Sequence, residues 1–391
     1  MPKAIDVVEL TKKLLTFNTI NPPGNEGGCA RFLGELLRDS GFSLTYHELA
    51  EGRTSIIARR GHHLDGLNGS QRAKPICFTG HIDTVPLGAA NWSVDPFTGE
   101  VVDGKLYGRG STDMKSGVAA MVAAAISSAD ELERGPGLML VLTAGEETGC
   151  AGANQLVQIE GVLGTAGAIV VGEPTSNYPR IGHKGVLWLL AETRGVTAHG
   201  STPEYGVNAV VRGAKIVTKL ENFGFIHAPH PVLGSPTVNV GRMQGGMNIN
   251  SVPDRAEIAL DVRSIPGTNH DEIVEWLRSH LAPELDELTT IVNLAPVWTE
   301  SSDPWVQDIF GLVEPYLGEY PVPKGVSYFS DASVLKAALG GPPTLILGPG
   351  EARMAHQTDE YCFVHLIEQA VNIYRDILCH WQSDRRSLDA A

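Results

Sequence analysis

The chain has 391 residues, which is too long for one ordinary hydrophobic core and predicts two or three domains. Its formal net charge of −15 and the lack of a dense Lys/Arg cluster argue against a nucleic-acid partner. The sequence has no run of about 18 apolar residues and no secretory signal pattern at its N-terminus, so we expect no membrane span and a cytoplasmic location.

The N-terminal segment combines predicted helices with β-rich runs. Apolar residues at helical spacing predict helices near residues 7–17 and 32–37, and the second ends near Gly41. The runs SLTYHEL, TSIIAR and KPICFTG predict three strands. The polar stretch between the last two runs predicts an exposed loop, and we do not expect its His62 and His63 to bind a metal.

The next segment predicts a buried helix and two buried strands. KSGVAAMVAAAISSADEL, which begins at residue 115, is rich in Ala and has no interior Pro, so it predicts the helix. GLMLVLTAGEETG and GAIVVGEPT each contain an unalternated apolar run, typical of parallel strands that are buried on both faces. The alternation predicts an α/β fold with a mostly parallel sheet, whose ligands gather beyond the carboxyl ends of the strands.

The order of elements changes after about residue 181. The pattern becomes β-α-β-β-α-β, with predicted helices from Asn208 and near residues 271–281, which is typical of a ferredoxin-like α+β domain. Beyond about residue 297 the α/β pattern resumes with a helix near 304–316, the strand PTLILG and a terminal helix near 363–382. We therefore predict a catalytic domain formed by residues 1–181 and 297–391, and an inserted domain formed by residues 182–296.

Acidic and imidazole side chains follow the buried runs of the predicted catalytic domain. His81 and Asp83 are two residues apart at a strand end and therefore face the same side, as a metal-bound imidazole and its carboxylate partner would. The others are Asp113 in GRGSTDMKSG, Glu146 and Glu147 after VLTAG, Glu173 after AIVVG, and His356 in AHQTDEY.

Each of these residues has a structural alternative when it is considered alone. Asp113 could cap the following helix, Glu146 and Glu147 could form a solvated turn, Glu173 could end a strand, and His356 could be an ordinary loop histidine. Together, however, their carboxylates would repel one another at one sheet edge unless cations compensate. The joint position favours a metal site.

Two divalent cations would provide this compensation. With Asp113 bridging, one ion takes His81 and Glu173, and the other takes Glu147 and His356. Mixed imidazole and carboxylate ligands suit Zn²⁺ and are also compatible with Co²⁺ or Mn²⁺. Glu146 adjoins a ligand but points elsewhere, because neighbouring side chains diverge, so it is free to take a proton from the attacking water.

These residues lie in stretches that resemble a family of co-catalytic zinc hydrolases, which contains acetylornithine deacetylase, succinyl-diaminopimelate desuccinylase, aminoacylase and carboxypeptidase G. The stretches are GHIDTVP, YGRGSTDMKSG, TAGEETG, GEPT, GVTAHGSTPEYGVNA, NSVPDRAEIALDVRSIPG, YFSDAS and LGPG with AHQTDEY. The resemblance implies the ligand roles given above, Glu146 as general base and Asp83 as the partner of His81. It also implies that the inserted domain is a lid that commonly forms a homodimer.

The resemblance also implies roles for residues of the inserted domain. His199 in GVTAHGSTP would hydrogen-bond the developing oxyanion, and its matching residue often reaches a neighbouring active site. Arg263 and Asn248 match positions that grip a substrate carboxylate, a role that suits the arginine fork. The alternatives are an exposed loop histidine for His199 and a surface salt bridge for Arg263. Asp331 in YFSDAS matches a family motif but has no role that the sequence alone explains.

The sequence therefore predicts a metal-dependent hydrolase that cleaves the amide bond of a small N-acyl amino acid. A dipeptidase or carboxypeptidase of the same chemistry is the nearest alternative. A non-catalytic metal-binding scaffold is disfavoured because the base and all ligands are present. The sequence departs from the usual family pattern at Ser330-Asp331 and in HKG at 183–185, so substrate specificity does not follow from the resemblance.

Overall fold

The computed structural model describes residues 5–61, 74–221, 223–225 and 227–383. His62 and His63 lie outside these described residues. Internal contacts divide the chain into two units. Unit 1 comprises Met1–Gly182, Trp298–Lys324 and Ser330–Ala391, and unit 2 comprises His183–Val297 and Gly325–Phe329. Within the described ranges, none of the helices combines the length and the apolar character that crossing a membrane requires.

The strands and helices are numbered here in chain order. The strands are β1 Ser43–Ala50, β2 Arg53–Arg60, β3 Ile76–His81, β4 Val101–Val102, β5 Lys105–Tyr107, β6 Leu138–Thr143, β7 Ala168–Val171, β8 Gly182–His183, β9 Gly185–Arg194, β10 Thr237–Gly245, β11 Arg255–Ser264, β12 Glu287–Leu294, β13 Val297–Trp298, β14 Thr344–Ile346 and β15 Tyr361–Phe363. The helices are α1 Val7–Leu15, α2 Gly27–Asp39, α3 Lys115–Ser127, α4 Ala129–Leu132, α5 Ala151–Gln158, α6 Ala209–Glu221, α7 His270–Leu281, α8 Pro304–Leu317, α9 Ala332–Ala338 and α10 Val364–Ser383.

Unit 1 is built around a six-stranded sheet in the order β1-β2-β6-β3-β7-β14. The four strands from β6 to β14 are parallel, whereas β1 and β2 form an antiparallel edge. Every residue of β3, β6 and β7 is buried, which explains why their apolar runs do not alternate. The predicted α/β fold with a mostly parallel sheet is confirmed.

Helix α3 lies in the core of unit 1, with every residue from Lys115 to Ile126 buried. A Cβ atom at Gly117 would collide with the backbone carbonyl of Gly172, so glycine allows α3 to pass close to the end of β7. The buried Lys115 ammonium donates to the carbonyls of Leu14 (3.1 Å) and Phe17 (2.9 Å), which join the end of α1 to the start of α3.

Unit 2 has an antiparallel sheet in the order β10-β11-β9-β12, with α6 and α7 following the β-α-β-β-α-β chain order. Buried positions alternate along β11, as expected for a strand with one face in the core. The core of this unit is formed by apolar side chains from the sheet and both helices, among them Leu187, Leu189, Ile216, Leu220, Ile258, Leu260, Ile273 and Leu277. Strand β10 lies at an edge of the sheet.

The small elements of unit 1 were not predicted. They are helices α5 and α9 and the three-stranded sheet β15-β5-β4. Strands of two or three residues are too short to show an alternating pattern, and α5 spans only eight residues.

Candidate metal centre

His81 and Asp83 lie at and just beyond the carboxyl end of β3, an interior strand of the unit 1 sheet, and both are buried. The His81 Nδ1 donates to the backbone carbonyl of Asp83 at 3.0 Å and lies 3.5 Å from the carboxylate Oδ1. Because Nδ1 is occupied in this way, Nε2 is the ring nitrogen that can bind a cation.

Asp83 also holds the turn that carries the two adjacent glutamates. Its Oδ1 accepts a hydrogen bond from the backbone N–H of Glu146 at 3.1 Å, and its Oδ2 accepts one from Glu147 at 3.3 Å. The buried Asn21 donates to the same Oδ2 at 2.8 Å and to Thr148 Oγ1 at 3.0 Å. A single carboxylate thus links the predicted ligand His81 to the predicted base, and sequence reasoning missed Asn21 because no local pattern marks it.

Asp113 lies between the two predicted histidine ligands. Its Oδ1 is 3.1 Å from His81 Nε2, and its Oδ2 is 3.5 Å from His356 Nε2. Glu173 Oε1 lies 3.7 Å from His81 Nε2, and Glu147 Oε2 lies 3.2 Å from His356 Nε2. The structure therefore brings the five predicted ligands together in two groups that share Asp113.

The spacing of these donor atoms suits metal ligation. Ligand atoms at zinc bond lengths of about 2.0–2.1 Å lie roughly 3.3 Å apart in a tetrahedral site. The four distances above range from 3.1 to 3.7 Å, and one donor atom from each of His81, Asp113 and Glu147 lies within 4.8 Å of the other two. Glu147 Oε1 is buried and has no hydrogen-bond partner, which leaves it available to a cation. The residues present therefore fit divalent metal ions.

Two of the structural alternatives are wrong. The residue that precedes α3 at its N-cap is Met114, and no side chain caps the helix, so Asp113 does not act as a cap. Glu146 is 4% exposed, so it does not belong to a solvated turn. His356 lies in an exposed loop and adopts a left-handed φ of 64°, which is uncommon for a residue other than glycine.

Burial changes the protonation of the three glutamates. It raises the pKa of Glu146 and of Glu173 well above the ordinary value, and it also raises the pKa of Glu147. Charge repulsion adds to this effect, because Asp113 raises the pKa of both Glu147 and Glu173. A buried acidic group of this kind holds a proton unless a cation takes its place.

The pKa values of His81 and His356 are raised, whereas those of Asp83 and Asp113 are lowered. Burial disfavours the charged ring of His81, but its contacts with Asp113 and Asp83 outweigh burial and hold its pKa well above the ordinary value. Asp113 and Glu147 raise the pKa of His356 to about 10. Although burial opposes it, the histidines lower the pKa of Asp113, and His81 lowers that of Asp83. The histidines and the acidic groups therefore stabilise one another's charged forms at the place where divalent cations would balance the carboxylates.

Two further buried acids lie beside this cluster. Glu360 forms a buried ion pair with Arg109, with 2.6 Å between Oε2 and Nη1. Asp331 accepts a short hydrogen bond from Thr143 Oγ1, and burial raises the pKa of Asp331 to about 6. The motif YFSDAS pointed to Asp331, whereas sequence reasoning missed Glu360, although it lies in the quoted stretch AHQTDEY.

The three remaining predicted site residues belong to unit 2. His199 is exposed, and its Nδ1 contacts the Ser201 N–H at 3.1 Å and Oγ at 2.7 Å. Arg263 forms a two-point ion pair with Asp261, with N···O distances of 2.9 and 3.0 Å. Asn248 is exposed in the loop after β10. Their roles stay predictions.

Comparisons with known proteins place this geometry in a family. The model of the protein family described as "Peptidase family M20/M25/M40" matches residues 77–380 of this chain. An acetylornithine deacetylase from Proteus mirabilis is 31% identical over 346 residues, which cover 86% of this chain and 85% of that protein.

Two solved structures have the same fold at lower identity. A metallo-carboxypeptidase of the M20 family from Sulfolobus solfataricus has a TM-score of 0.77 and 19% identity, with 97% of this chain and 99% of that chain covered. A di-peptidase from Saccharomyces cerevisiae has a TM-score of 0.75 and 13% identity, with 97% and 96% covered. The prediction of a metal-dependent amidohydrolase is confirmed at the level of the family, and the chain belongs to peptidase family M20/M25/M40.

Proposed function

We propose that this chain uses two divalent metal ions to hydrolyse the amide bond of a small N-acyl amino acid. The observation that carries the proposal is the position of Glu146, a buried carboxyl group adjacent in sequence to the candidate ligand Glu147, on a turn whose backbone N–H binds Asp83, the partner of His81. Within the described residues, the side chain of Glu146 accepts only a weak hydrogen bond, from Cys150 Sγ at 3.9 Å. Glu146 is therefore free to exchange a proton.

The two ligand groups would hold one ion each, with Asp113 shared between them. When bound, the ions, which we propose to be zinc with cobalt or manganese as alternatives, would polarise the scissile carbonyl and make a nearby water more acidic. Asp83 keeps His81 in the tautomer that leaves Nε2 free. The same carboxylate orients the backbone of the turn that carries Glu146.

Glu146 takes the proton of the attacking water on its carboxylate and then delivers it to the nitrogen of the leaving amine. Burial raises the pKa of Glu146, and a raised pKa suits a group that must first accept a proton and then release it near neutral pH. His199 donates a hydrogen bond to the oxyanion, and Arg263 and Asn248 bind the carboxylate of the substrate. These three roles follow from the family resemblance.

The choice of an acyl amino acid rests on charge and on similarity. Three ligand carboxylates against two dications leave about one net positive charge, which attracts a substrate with a free carboxylate. The relative from Proteus mirabilis is named an acetylornithine deacetylase. The structural neighbours include a carboxypeptidase and a di-peptidase, so a peptidase acting on dipeptides or C-terminal residues is the second candidate.

We assign unit 2 the role of a lid and of a homodimer interface. Strand β10 lies at an edge of its sheet, and edge strands pair readily with a second chain. Several apolar side chains of unit 2 are largely exposed, which is typical of an interface with another protein: Val196, Tyr205, Val207, Met247 and Ile249. A cytoplasmic location belongs to the same proposal.

Two adjacent substitutions test the function. Glu146→Gln should keep both metal ions and lose turnover by about 100- to 10,000-fold, because the base is removed. Glu147→Gln is the matched control, since it changes the neighbouring residue and should lose metal from the site. Metal content is measured on the purified proteins together with hydrolysis of N-acetyl and N-succinyl amino acids and of a dipeptide panel.

The outcomes separate the alternatives. Full activity of Glu146→Gln would refute the base assignment. Cleavage of dipeptides in preference to acyl amino acids would favour the peptidase. A wild-type protein that binds two metal ions and cleaves none of the amides would favour a non-catalytic scaffold.

A further inference from the structure

Glu360 is a fully buried carboxylate that accepts four hydrogen bonds from a single loop. Its Oε1 accepts from the backbone N–H groups of Thr112 at 2.8 Å and Asp113 at 3.0 Å. Its Oε2 accepts from the N–H of Gly110 at 3.0 Å and from Arg109 Nη1 at 2.6 Å. Both carboxylate oxygens of Glu360 therefore accept hydrogen bonds from the loop of residues 109–113, which precedes α3.

The backbone of Glu360 and of the residue that follows it holds the same loop. The Glu360 carbonyl accepts from the N–H of Gly108 at 2.9 Å, and the Tyr361 carbonyl accepts from Thr112 Oγ1 at 2.6 Å. Strand β15, which begins at Tyr361, pairs with β5 at Tyr107. The loop is thus attached at its start, its middle and its end to one short segment.

This loop ends in the carboxylate that both ligand groups share. Asp113 lies within 3.1 Å of His81 Nε2 and within 3.5 Å of His356 Nε2. The position of a carboxylate that binds two cations must be fixed to within about 0.5 Å, because a displaced carboxylate binds one or both cations less tightly. The loop has no regular secondary structure that would fix it, so the bonds from its backbone N–H groups to Glu360 take that place.

We infer that Glu360 is a positioning residue, which acts through Asp113 to set the affinity of the metal centre. The inference rests on the proposed function, because it takes Asp113 as the shared ligand. His356 lies four residues before Glu360, so one segment carries a candidate ligand of one group and the carboxylate that orients the ligand common to both. A purely structural role would instead consist of pairing with Arg109, whose guanidinium also donates to the Pro86 carbonyl at 3.1 Å.

Two substitutions at this position separate positioning from structural support. Glu360→Gln removes the charge that the loop N–H groups and Arg109 face. Glu360→Asp keeps the charge that compensates the buried Arg109 but withdraws the carboxylate by one bond from the N–H groups of Thr112 and Asp113. The matched control is Glu351→Gln, which removes a carboxylate that pairs with the exposed Arg353 in the same part of the chain.

The chelator-stripped full-length proteins are titrated with Zn²⁺ alone, at a temperature at which circular dichroism shows each variant to be folded. We expect Zn²⁺ affinity to fall by about 10- to 100-fold in Glu360→Asp and by at least as much in Glu360→Gln, with no change in Glu351→Gln. In the metal-saturated proteins, kcat should fall more than KM rises, because the substrate does not contact Glu360.

Each outcome decides a separate point. Wild-type affinity and wild-type kcat in Glu360→Asp would overturn the inference while the proposed function stands. Failure of Glu360→Asp to fold would assign the residue to structural support and would also overturn it. A wild-type protein that binds no Zn²⁺ would instead refute the proposed function. If Glu360→Gln alone fails to fold, the titration of Glu360→Asp decides.

Discussion

The candidate residues of unit 1 and those of unit 2 differ in how the protein holds them. In unit 1 the side chains lie close together, most of them buried, and the Asp83 carboxylate alone accepts hydrogen bonds from two distant segments, at Asn21 and at Glu146 and Glu147. In unit 2, His199 and Arg263 each interact with a residue two positions away in the sequence, namely Ser201 and Asp261. The first set depends on long-range contacts, whereas the second is satisfied locally.

This difference determines what the geometry can establish. Burying several carboxyl groups next to one another is unfavourable, so their convergence in unit 1 itself demands cations or protons. An exposed histidine or a surface ion pair makes no such demand, because water and a neighbouring side chain already satisfy it. The roles proposed for unit 1 are therefore supported by contacts, while those proposed for unit 2 depend on the family resemblance and on the following experiments.

The largest expected effect is a fall in kcat on substitution of His199, which would show that a locally bonded residue of unit 2 also takes part in catalysis. The backbone N–H of Ser201 can only donate, so His199 Nδ1 is its acceptor and the neutral ring carries its proton on Nε2, ready to bond an oxyanion. We expect His199→Ala to lower kcat by about 100- to 1,000-fold and to leave metal content unchanged. Steady-state kinetics and metal analysis check this.

The control for this prediction is His280→Gln, which alters another exposed histidine of unit 2 that contacts the Lys219 carbonyl. It should leave kcat unchanged. Wild-type kcat in His199→Ala would mean that this histidine is an ordinary loop residue.

A smaller effect is expected from Asp83→Asn, which should lower Zn²⁺ affinity and kcat by about 10- to 100-fold. The amide offers a single acceptor oxygen, so it cannot serve the N–H groups of Glu146 and Glu147 together with the amide of Asn21. Both Zn²⁺ affinity and kcat should therefore fall, as measured by titration of the chelator-stripped protein and by steady-state kinetics. If neither changes, the links that Asp83 makes to the rest of unit 1 have no functional weight.

The sequence was sufficient to predict which acidic and imidazole side chains come together, but not the contacts that hold them. His81, Glu146 and Glu173 follow apolar runs, and the ends of parallel strands meet at one edge, so pattern and topology together predict their convergence. Glu360 and Arg109 are 251 positions apart, and only the pairing of β15 with β5 brings them together. No local pattern can signal such a contact, because it depends on the completed fold.

Arg263→Lys is expected to raise KM by about tenfold and to leave kcat unchanged. Lysine keeps the charge but loses the planar fork that binds a carboxylate at two points, so KM for a substrate with a free carboxylate should rise. The same substrate with its carboxylate amidated serves as the control and should show no change. Equal KM values for wild type and variant would assign Arg263 to its ion pair with Asp261.

The smallest effect concerns the stability of the chelator-stripped protein as a function of pH. Glu146 and Glu173 have raised pKa values in the folded protein, so they bind more protons there than in the unfolded chain. Their contribution to stability is present below the unfolded pKa of about 4.3 and is lost as the pH rises through the folded value. His356 acts in the same direction, since its contribution is lost as the pH rises from about 6.5 through its folded value of about 10.

The lowered pKa values of Asp83 and Asp113 act only below about pH 4, outside this window. Between pH 5 and pH 9, on the order of these pKa values, the stripped protein should therefore lose stability as the pH rises. The metal-loaded protein should lose less, because cations take the place of the protons and bind more tightly as the ligands lose theirs. Scanning calorimetry should show the difference in Tm between the two forms widening by on the order of 2 °C or more. Parallel Tm curves would mean that cations and protons do not compete for these side chains, and unit 1 would then lose the property that separates it from unit 2.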